Sequence, residues 1–352
     1  MATWRKQIQK KRRGFFTALT RTLEKTRIPD LKEDKPFPVR RVLVIRPNHR
    51  LGNQLLITPL LQEIEHVLPD ARVDVWVKGG VGTILFREYG QVDNITMLPK
   101  KPARQPWRYL KGWMRLRLKR YDLVINVVNH SSSGRISTHF ANARFRFLGD
   151  INGEIKEQFG DHQHIAKYPV YSFRHFIQRL GYPGSDRPVP SLDLRVTADE
   201  RSQGKKLLHD IVGNDRPTIA IYTFATGDKM YSKEWWLAFY TRLKESYPDY
   251  NIVEVLPVEN VSQIDFSAPS YYSKDLREIG GVVANTDIFI GADSGMMHLA
   301  VASQTPTVGL FKAPNIDIYT PYGNASCGVR INDMQIDELL DVVGKVLRSG
   351  AA

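Results

Sequence analysis

The alternation of strand-like and helix-like segments is the feature that most constrains how this chain can fold. Short runs rich in β-branched residues, typical of strands buried on both faces, occur at 41–45, 71–77, 92–98, 123–128, 218–222, 251–256, 287–291 and 307–310. Segments with helical periodicity lie between or after them, at 54–67, 80–88, 105–120, 198–212, 232–247, 274–283, 295–302 and 336–347. Strands that alternate with helices form parallel sheets covered by helices, so the pattern predicts the α/β class.

The alternation is interrupted once, which divides the chain into two domains. The pattern weakens between 150 and 195, where a connection rich in glycine and proline spans 181–190. A length of 352 residues also suits two domains. We expect an N-terminal extension at 1–38 and Rossmann-like domains at 39–190 and 191–352. Two doubly wound domains would face each other across a cleft, with ligands bound at the carboxyl ends of the strands.

Composition points to a reducing compartment. Cys327 is the single cysteine, so the chain can form neither an intramolecular disulfide nor a cysteine-rich metal site. The sequence has no run of about 18 apolar residues, and the apolar stretch at 15–19 is too short for the core of a signal peptide. We therefore expect a cytoplasmic protein.

Positive charge is concentrated in two segments of a chain whose formal net charge is +13. Residues 1–28 contain nine Lys or Arg and only Glu24 as an acid, and residues 100–120 contain nine Lys or Arg and no acid. Both segments interleave cations with apolar residues, which favours contact with an anionic membrane surface. A solvated N-terminal arm and a nucleic-acid-binding protein are the alternatives, and no nucleic-acid-binding signature supports the second.

A long motif follows the strand at 287–291. It reads Asp293-Ser294-Gly295-Met296-Met297-His298-Leu299-Ala300, and continues with Thr305-Pro306, Leu310-Phe311 and Pro321-Tyr322-Gly323. Gly295 permits a tight turn against a ligand, and a helix that starts there directs N–H groups and a positive dipole end at an anion. A diphosphate fits this arrangement. The alternative is that Asp293 only caps the helix and that His298 is an ordinary half-buried histidine.

This motif resembles the nucleotide-sugar motif of glycosyltransferase family 9, which includes the ADP-heptose lipopolysaccharide heptosyltransferases. A second similarity lies in the first βα loop and the helix after it, at 52–61, and the resemblance covers most of 41–325. It implies the GT-B architecture, with an acceptor-binding first domain and a donor-binding second domain. It also implies that the donor diphosphate is held by Asp293, Ser294, Gly295 and His298.

The resemblance implies roles for two further loops. The hydroxyl-rich loop after the strand at 218–222 contains Thr226 and Lys229, and in the family a Lys at this place contacts the donor phosphates. Lys229 matches best, with Lys233 as the alternative, and a point charge there would stabilise the departing nucleotide without a metal. Glu259 corresponds to a Glu that binds the ribose or base of the nucleotide, with an exposed loop carboxylate as the alternative.

The first βα loop departs from the family at its presumed general base. Where the family has Asp, this chain has Asn53, and an amide cannot accept a proton in a useful pH range. His49 in the same loop is the nearest candidate base. Alternatively, Asn53 orients the acceptor while phosphate or water takes the proton, or the protein binds its ligand without turnover.

The sequence as a whole predicts an inverting, metal-independent heptosyl- or hexosyltransferase with no cofactor besides its donor, expected to be ADP-heptose. Its acceptor would be an anionic lipopolysaccharide core or related envelope glycolipid, met at the inner face of the cytoplasmic membrane. The pair His162 and His164 has no accompanying carboxylate cluster with metal-ligand spacing. A non-catalytic nucleotide-sugar-binding homologue and a basic nucleic-acid-binding protein remain the alternative functions.

Overall fold

The computed structural model describes residues 36–128, 131–149, 153–312, 314–332 and 334–350, which form two compact units. The first unit comprises the described residues up to His49 together with Leu60–His162 and Ala166–Val189. The second comprises Arg50–Pro59, Gln163–Ile165 and the described residues from Pro190 onward. Residues 1–35 of the predicted N-terminal extension lie outside the described residues.

Each unit is built on one parallel sheet. In the first unit the strand order is β3-β2-β1-β4-β5, and in the second it is β11-β10-β9-β6-β7-β8. The strands are β1 Arg41–Arg46, β2 Arg72–Lys78, β3 Val92–Leu98, β4 Tyr121–Asn126, β5 Ala143–Phe147, β6 Thr218–Tyr222, β7 Asn251–Val255, β8 Ser270–Tyr271, β9 Ile288–Ala292, β10 Thr307–Phe311 and β11 Cys327–Arg330. Two parallel Rossmann-like sheets confirm the predicted α/β, GT-B fold class.

Helices connect the strands in both units. They are α1 Leu51–Leu55, α2 Thr58–Val67, α3 Gly82–Leu85, α4 Pro106–Leu118, α5 Ser132–Phe140, α6 Gly153–Gln158, α7 Lys167–Gln178, α8 Ala198–Val212, α9 Lys233–Ser246, α10 Leu276–Val283, α11 Gly295–Ala302, α12 Ile316–Tyr319 and α13 Ile336–Gly350. Among the described residues, no helix is both long enough and apolar enough to cross a membrane.

The central strands of the second sheet are buried along their whole length, as their apolar sequences require. Every residue of β6, β9 and β10 is buried. Trp236 of α9 is completely buried in the core on one side of this sheet. Because the sheet is packed on both faces, its exposed carboxyl edge is where polar side chains can gather.

The helix predicted at 54–67 is in fact two helices, and the reason is Pro59. A proline has no N–H to donate, and its ring clashes with the carbonyl four residues earlier, which here is that of Leu55. The Thr58 hydroxyl donates to this Leu55 carbonyl at 2.8 Å. The chain therefore ends α1 at Leu55 and starts α2 at Thr58, and α1 becomes a separate short helix that packs within the second unit.

Sequence periodicity missed several elements between 131 and 178. Helix α5 begins at a cap in which the Ser131 hydroxyl accepts the Gly134 N–H at 3.1 Å. The exposed face of the helix carries the apolar residues Ile136 and Phe140, so its apolar residues do not form a single buried stripe. Helix α7 is buried over most of its length, and its Arg174 makes two 2.8 Å bonds to the buried carboxylate of Glu63. A buried arginine interrupts the apolar pattern while being fully paired, which is why periodicity alone does not find this helix.

Candidate functional site

The loops that follow β6, β9 and β10 meet at the carboxyl edge of the second sheet. These three strands are neighbours and run parallel, so their carboxyl ends lie side by side. The loop after β6 contains Lys229, β9 leads into Asp293, and β10 leads into Lys312. Two cations and one carboxylate therefore come from three adjacent strand ends.

The Asp293 carboxylate is the centre of this cluster. Its side chain is 6% exposed, and its Oδ2 atom lies 2.5 Å from Lys229 Nζ and 2.9 Å from Asn315 Nδ2, which donates to it. A carboxylate held away from water needs such partners, because an unpaired buried charge costs several kcal/mol. Asp293 thus fixes the position of Lys229, whose own side chain remains 36% exposed.

Helix α11 starts immediately after this carboxylate, and its cap is Ser294. The Ser294 hydroxyl accepts the Met297 N–H at 3.3 Å, whereas Asp293 makes the ion pair described above. The interpretation that Asp293 caps the helix is therefore wrong, because Ser294 performs that function. Asp293 directly precedes the Ser294 cap and pairs with Lys229. The positive end of the α11 dipole and the ammonium group of Lys229 therefore lie near each other.

Helix α1 packs against the start of α11 through two glycines. A Cβ on Gly52 would lie 2.6 Å from His298 Cδ2, and a Cβ on Gly295 would lie 3.1 Å from Leu51 Cβ. Neither position has room for a larger side chain without a shift of its neighbour. Gly52 therefore brings the first βα loop into contact with the imidazole of His298.

The imidazole of His298 is buried in this contact, with a side chain 5% exposed. Burial lowers the pKa of His298 from 6.5 to about 4. The negative charge of Asp293 opposes this shift, and His164 and Lys229 add to it. The ring is consequently neutral at pH 7, where it can take part in hydrogen bonds without contributing a charge.

Lys312 and Tyr231 extend the same edge. Lys312 Nζ donates to the Met230 carbonyl at 2.8 Å and lies 4.7 Å from the centre of the Tyr231 ring. Tyr231 is buried, and burial together with the charge of Asp293 raises the pKa of its phenol. Tyr231 thus stays protonated and packs beside Lys312.

The loop after β7 is organised by a buried carboxylate that the sequence did not single out. Glu254 accepts the hydroxyl of Thr223 at 2.5 Å and that of Ser262 at 2.6 Å, and burial raises the pKa of Glu254. Thr223 in turn accepts the Gln263 N–H at 3.1 Å. These bonds fasten the loop after β6 to the loop after β7 and so determine where both loops run.

The other predicted donor residues lie on these loops. Thr226 is exposed, three residues before Lys229, and Glu259 is exposed beyond the end of β7. Burial raises the pKa of Tyr222, and the negative charge of Glu259 is the second cause of that increase. The Glu259 carboxylate therefore lies near Tyr222, at the end of β6. Lys233, the alternative to Lys229, pairs instead with Asp265.

The two predicted acceptor-side residues lie in different units. Asn53 is half-buried in α1, next to Gly52, within the second unit. His49 is exposed after the end of β1, in the first unit, and its Cβ lies 3.1 Å from where a Cβ of Gly79 would be.

Comparison with known proteins finds similarity to one family of enzymes. Residues 273–339, which contain Asp293 and His298, match the model of glycosyltransferase family 9 (heptosyltransferase). The lipopolysaccharide core heptosyltransferase OpsX of Haemophilus influenzae is 21% identical over 291 residues, which cover 75% of this chain and 77% of OpsX. These matches support a glycosyltransferase of family 9.

Solved structures agree with this fold. A family 9 glycosyltransferase from Veillonella parvula has a TM-score of 0.67 at 14% identity, covering 90% of this chain and 99% of that one. The E. coli ADP-heptose lipopolysaccharide heptosyltransferase II has a TM-score of 0.63 at 17% identity, covering 89% of this chain and 100% of that one. At such identities the likeness is one of fold.

Three residues at or near the candidate site were not assigned to it from the sequence. Asn315 and Glu254 bond to the cluster or its loops through side chains, and no spacing rule links them to Asp293 or Lys229. His164 lies 134 residues before His298 in the chain, and its Nε2–H donates to the Thr320 carbonyl at 2.9 Å. Within the described residues, no group of three potential ligands could hold a metal ion.

The lowered pKa of His298 predicts a loss of stability in mild acid. The unfolded chain binds a proton at His298 near pH 6.5, but the folded chain binds it only near pH 4. The contribution of neutral His298 to the free energy of unfolding is therefore complete above pH 6.5 and is lost as the pH falls towards 4. We expect His298 to add up to about 1.4 kcal/mol per pH unit to the decline in unfolding free energy across that window. Urea unfolding at a series of pH values measures it.

The matched variants for this measurement are His298→Gln and His209→Gln, the second at an exposed position of α8. The first should flatten the decline between pH 6.5 and 4, and the second should leave it as in the wild type. An equal slope in wild type and His298→Gln would contradict the assignment of a buried neutral imidazole.

Proposed function

We propose that this family 9 glycosyltransferase moves a heptose or hexose from a nucleotide sugar, with ADP-heptose as the donor, to a lipopolysaccharide core or related envelope glycan. The observation that carries the proposal is the pairing of Lys229 with buried Asp293 beside the start of α11. The names of the relatives agree with it, since one is a lipopolysaccharide core heptosyltransferase and another an ADP-heptose heptosyltransferase.

The donor diphosphate would lie at the start of α11. Backbone N–H groups in the first turn and the dipole of the helix attract an anion there. Ser294 would bind through the same turn. Thr226 and Glu259, exposed on the neighbouring loops, would contact the remainder of the nucleotide.

Lys229 would stabilise the leaving group. A carboxylate next to a diphosphate would repel it, but here the charge of Asp293 is already compensated by Lys229 and by the Asn315 amide. In this arrangement Asp293 positions the ammonium group and the exposed part of the Lys229 side chain meets the phosphate. As the diphosphate departs and gains negative charge, a prearranged cation lowers the barrier, and the reaction needs no metal for that step.

The chemical step would be a single inverting displacement. An acceptor hydroxyl oxygen attacks the anomeric carbon while the bond from that carbon to the diphosphate oxygen breaks. The hydroxyl proton goes to a base, and the nucleoside diphosphate leaves with the bonding electron pair. One displacement from the opposite face inverts the anomeric configuration.

His49 would be that base, and Asn53 would orient the acceptor. His49 is exposed at the end of β1 and can exchange its proton with solvent, while Asn53 offers an amide that donates and accepts hydrogen bonds. Neutral His298, buried against Gly52, is suited to holding the first βα loop against α11.

The acceptor would be an anionic glycolipid at the inner face of the cytoplasmic membrane, where the enzyme is bound peripherally. Nine cations and no acid in residues 100–120 support an anionic partner. The second candidate function is nucleotide-sugar binding without turnover, and Asn53 in place of the family's Asp is the observation that favours it.

Lys229→Gln tests the role of the cation. Glutamine keeps a hydrogen bond to Asp293 but removes the charge, so kcat for transfer from ADP-heptose should fall by about 10²- to 10³-fold. Lys233→Gln is the control, because Lys233 pairs with Asp265 at the surface. Steady-state kinetics measure both, and equal rates in the two variants would refute the role of Lys229.

His49→Ala separates catalysis from binding. Loss of a general base should lower kcat by about 10²-fold or more, while stabilisation of the protein by ADP in a thermal shift stays unchanged. If the wild type itself is stabilised by ADP but transfers no sugar to any lipopolysaccharide core acceptor, the non-catalytic function holds instead.

A further inference from the structure

Helix α4 has two apolar faces, and only one of them is explained by the fold. Tyr109, Gly112, Trp113 and Leu116 follow one another at helical spacing and face the sheet of the first unit. Gly112 and Leu116 are buried, and the Trp113 ring packs edge-on to Trp76 with 5.5 Å between the ring centres. This face attaches α4 to its own protein.

The opposite face is apolar and exposed. It consists of Trp107, Leu110, Met114 and Leu118, which are 81%, 49%, 50% and 75% exposed. Their spacings of three, four and four residues place all four on one side of the helix. A solvated helix face is ordinarily polar, so this second stripe costs solubility and has no role in packing the unit.

Helix α5 enlarges this apolar surface. Phe140 and Ile136 are 43% and 37% exposed and lie one turn apart on α5. The Phe140 ring contacts Trp113 of α4, with 5.6 Å between ring centres. We call these six residues the outer apolar face: Trp107, Leu110, Met114, Leu118, Ile136 and Phe140.

A row of cations borders the outer apolar face. Arg108, Lys111 and Arg115 lie at helical spacing on one flank of α4. Together with the edge strand β3 they line an open cavity of about 290 Å³. The segment 100–120 carries +9 of the chain's formal charge of +13, so this region attracts anions more strongly than most of the protein.

We propose that the outer apolar face docks on an anionic lipid bilayer. Trp107, Leu110, Met114 and Leu118 enter the boundary between headgroups and acyl chains, and the cations of the flank meet lipid phosphates, one of which fits the cavity between α4 and β3. Amphipathic helices that lie in a membrane interface combine these features. The inference rests on the proposed function in one respect, that the acceptor is a membrane lipid.

The chemistry of the face favours a bilayer over nucleic acid. Leucine and methionine side chains gain nothing from a phosphate backbone or from stacked bases, but they gain free energy on entering the acyl boundary. Tryptophan is the residue that prefers the headgroup level, and Trp107 is the most exposed large apolar side chain of the described residues. A nucleic-acid site would instead pair its cations with stacking aromatic residues.

Quenching by brominated lipids tests the position of Trp107 directly. Full-length wild type and Trp107→Phe are mixed with vesicles of phosphatidylglycerol and phosphatidylcholine whose acyl chains are brominated. Phenylalanine preserves the apolar stripe, so both proteins should bind, and the other tryptophans, including Trp4, contribute equally to both. We expect the wild type to show additional quenching that is missing in Trp107→Phe. Equal quenching would overturn the proposal.

Vesicle sedimentation tests the charged flank. The variant Arg108→Gln/Lys111→Gln/Arg115→Gln should bind anionic vesicles about 100-fold more weakly than wild type, because each of the three cations strengthens binding to such a surface about fivefold. The control Lys205→Gln/Lys206→Gln/Lys345→Gln removes three exposed cations from α8 and α13 and should bind as wild type does. Equal loss in both variants, or stronger binding of wild type to duplex DNA than to the vesicles, would overturn the docking surface.

An assay of sugar transfer to a water-soluble acceptor fragment, without detergent, tests the proposed function separately from the docking surface. The far-UV circular dichroism and the thermal unfolding midpoint of the flank variant show separately that it is folded. If the wild type transfers no sugar, but binds vesicles and the flank variant does not, the docking surface stands and the proposed function fails. If wild type transfers sugar but the α4 changes leave vesicle binding intact, the docking surface fails alone.

Discussion

The ion pair between buried Asp293 and half-exposed Lys229 is the interaction on which the candidate site depends. A buried carboxylate needs polar partners, and Asp293 is only 6% exposed. The loop after β6 brings the ammonium group of Lys229 to it. Asn315, which directly precedes α12, donates a hydrogen bond to it from its side-chain amide. The requirement of one buried charge thus orders two loops. It also leaves the far side of the ammonium group available to an anion.

The remaining features of the edge support the same arrangement. Glu254, inside the sheet, bonds to Thr223 and Ser262 and holds the loop that leads to Lys229. Gly52 and Gly295 let α1 approach α11 until His298 is enclosed and neutral. Charge at this edge is therefore concentrated on Lys229, Asp293 and Lys312, while the histidine contributes shape and hydrogen bonding.

Much of this could be predicted from the sequence, and what could not has physical causes. The alternation of buried strands and helices was sufficient for the fold class, and the motif from Asp293 to His298 was found because its residues are neighbours in the chain. Asn315, Glu254 and His164 were missed because their contacts arise only when distant strand ends meet. The packing of α1 with the second unit was missed as well, since Pro59 breaks the helix after it and chain order does not show where a short helix packs.

A double-mutant cycle on ADP affinity tests the central claim most directly. Calorimetric titration of wild type, Asp293→Asn, Lys229→Gln and the double variant gives the coupling between the two side chains. If Asp293 acts by positioning Lys229, then Asp293→Asn weakens ADP binding only while Lys229 is present, with a coupling energy of about 1 kcal/mol or more. Additive effects, or tighter ADP binding in Asp293→Asn whatever residue stands at 229, would contradict the account.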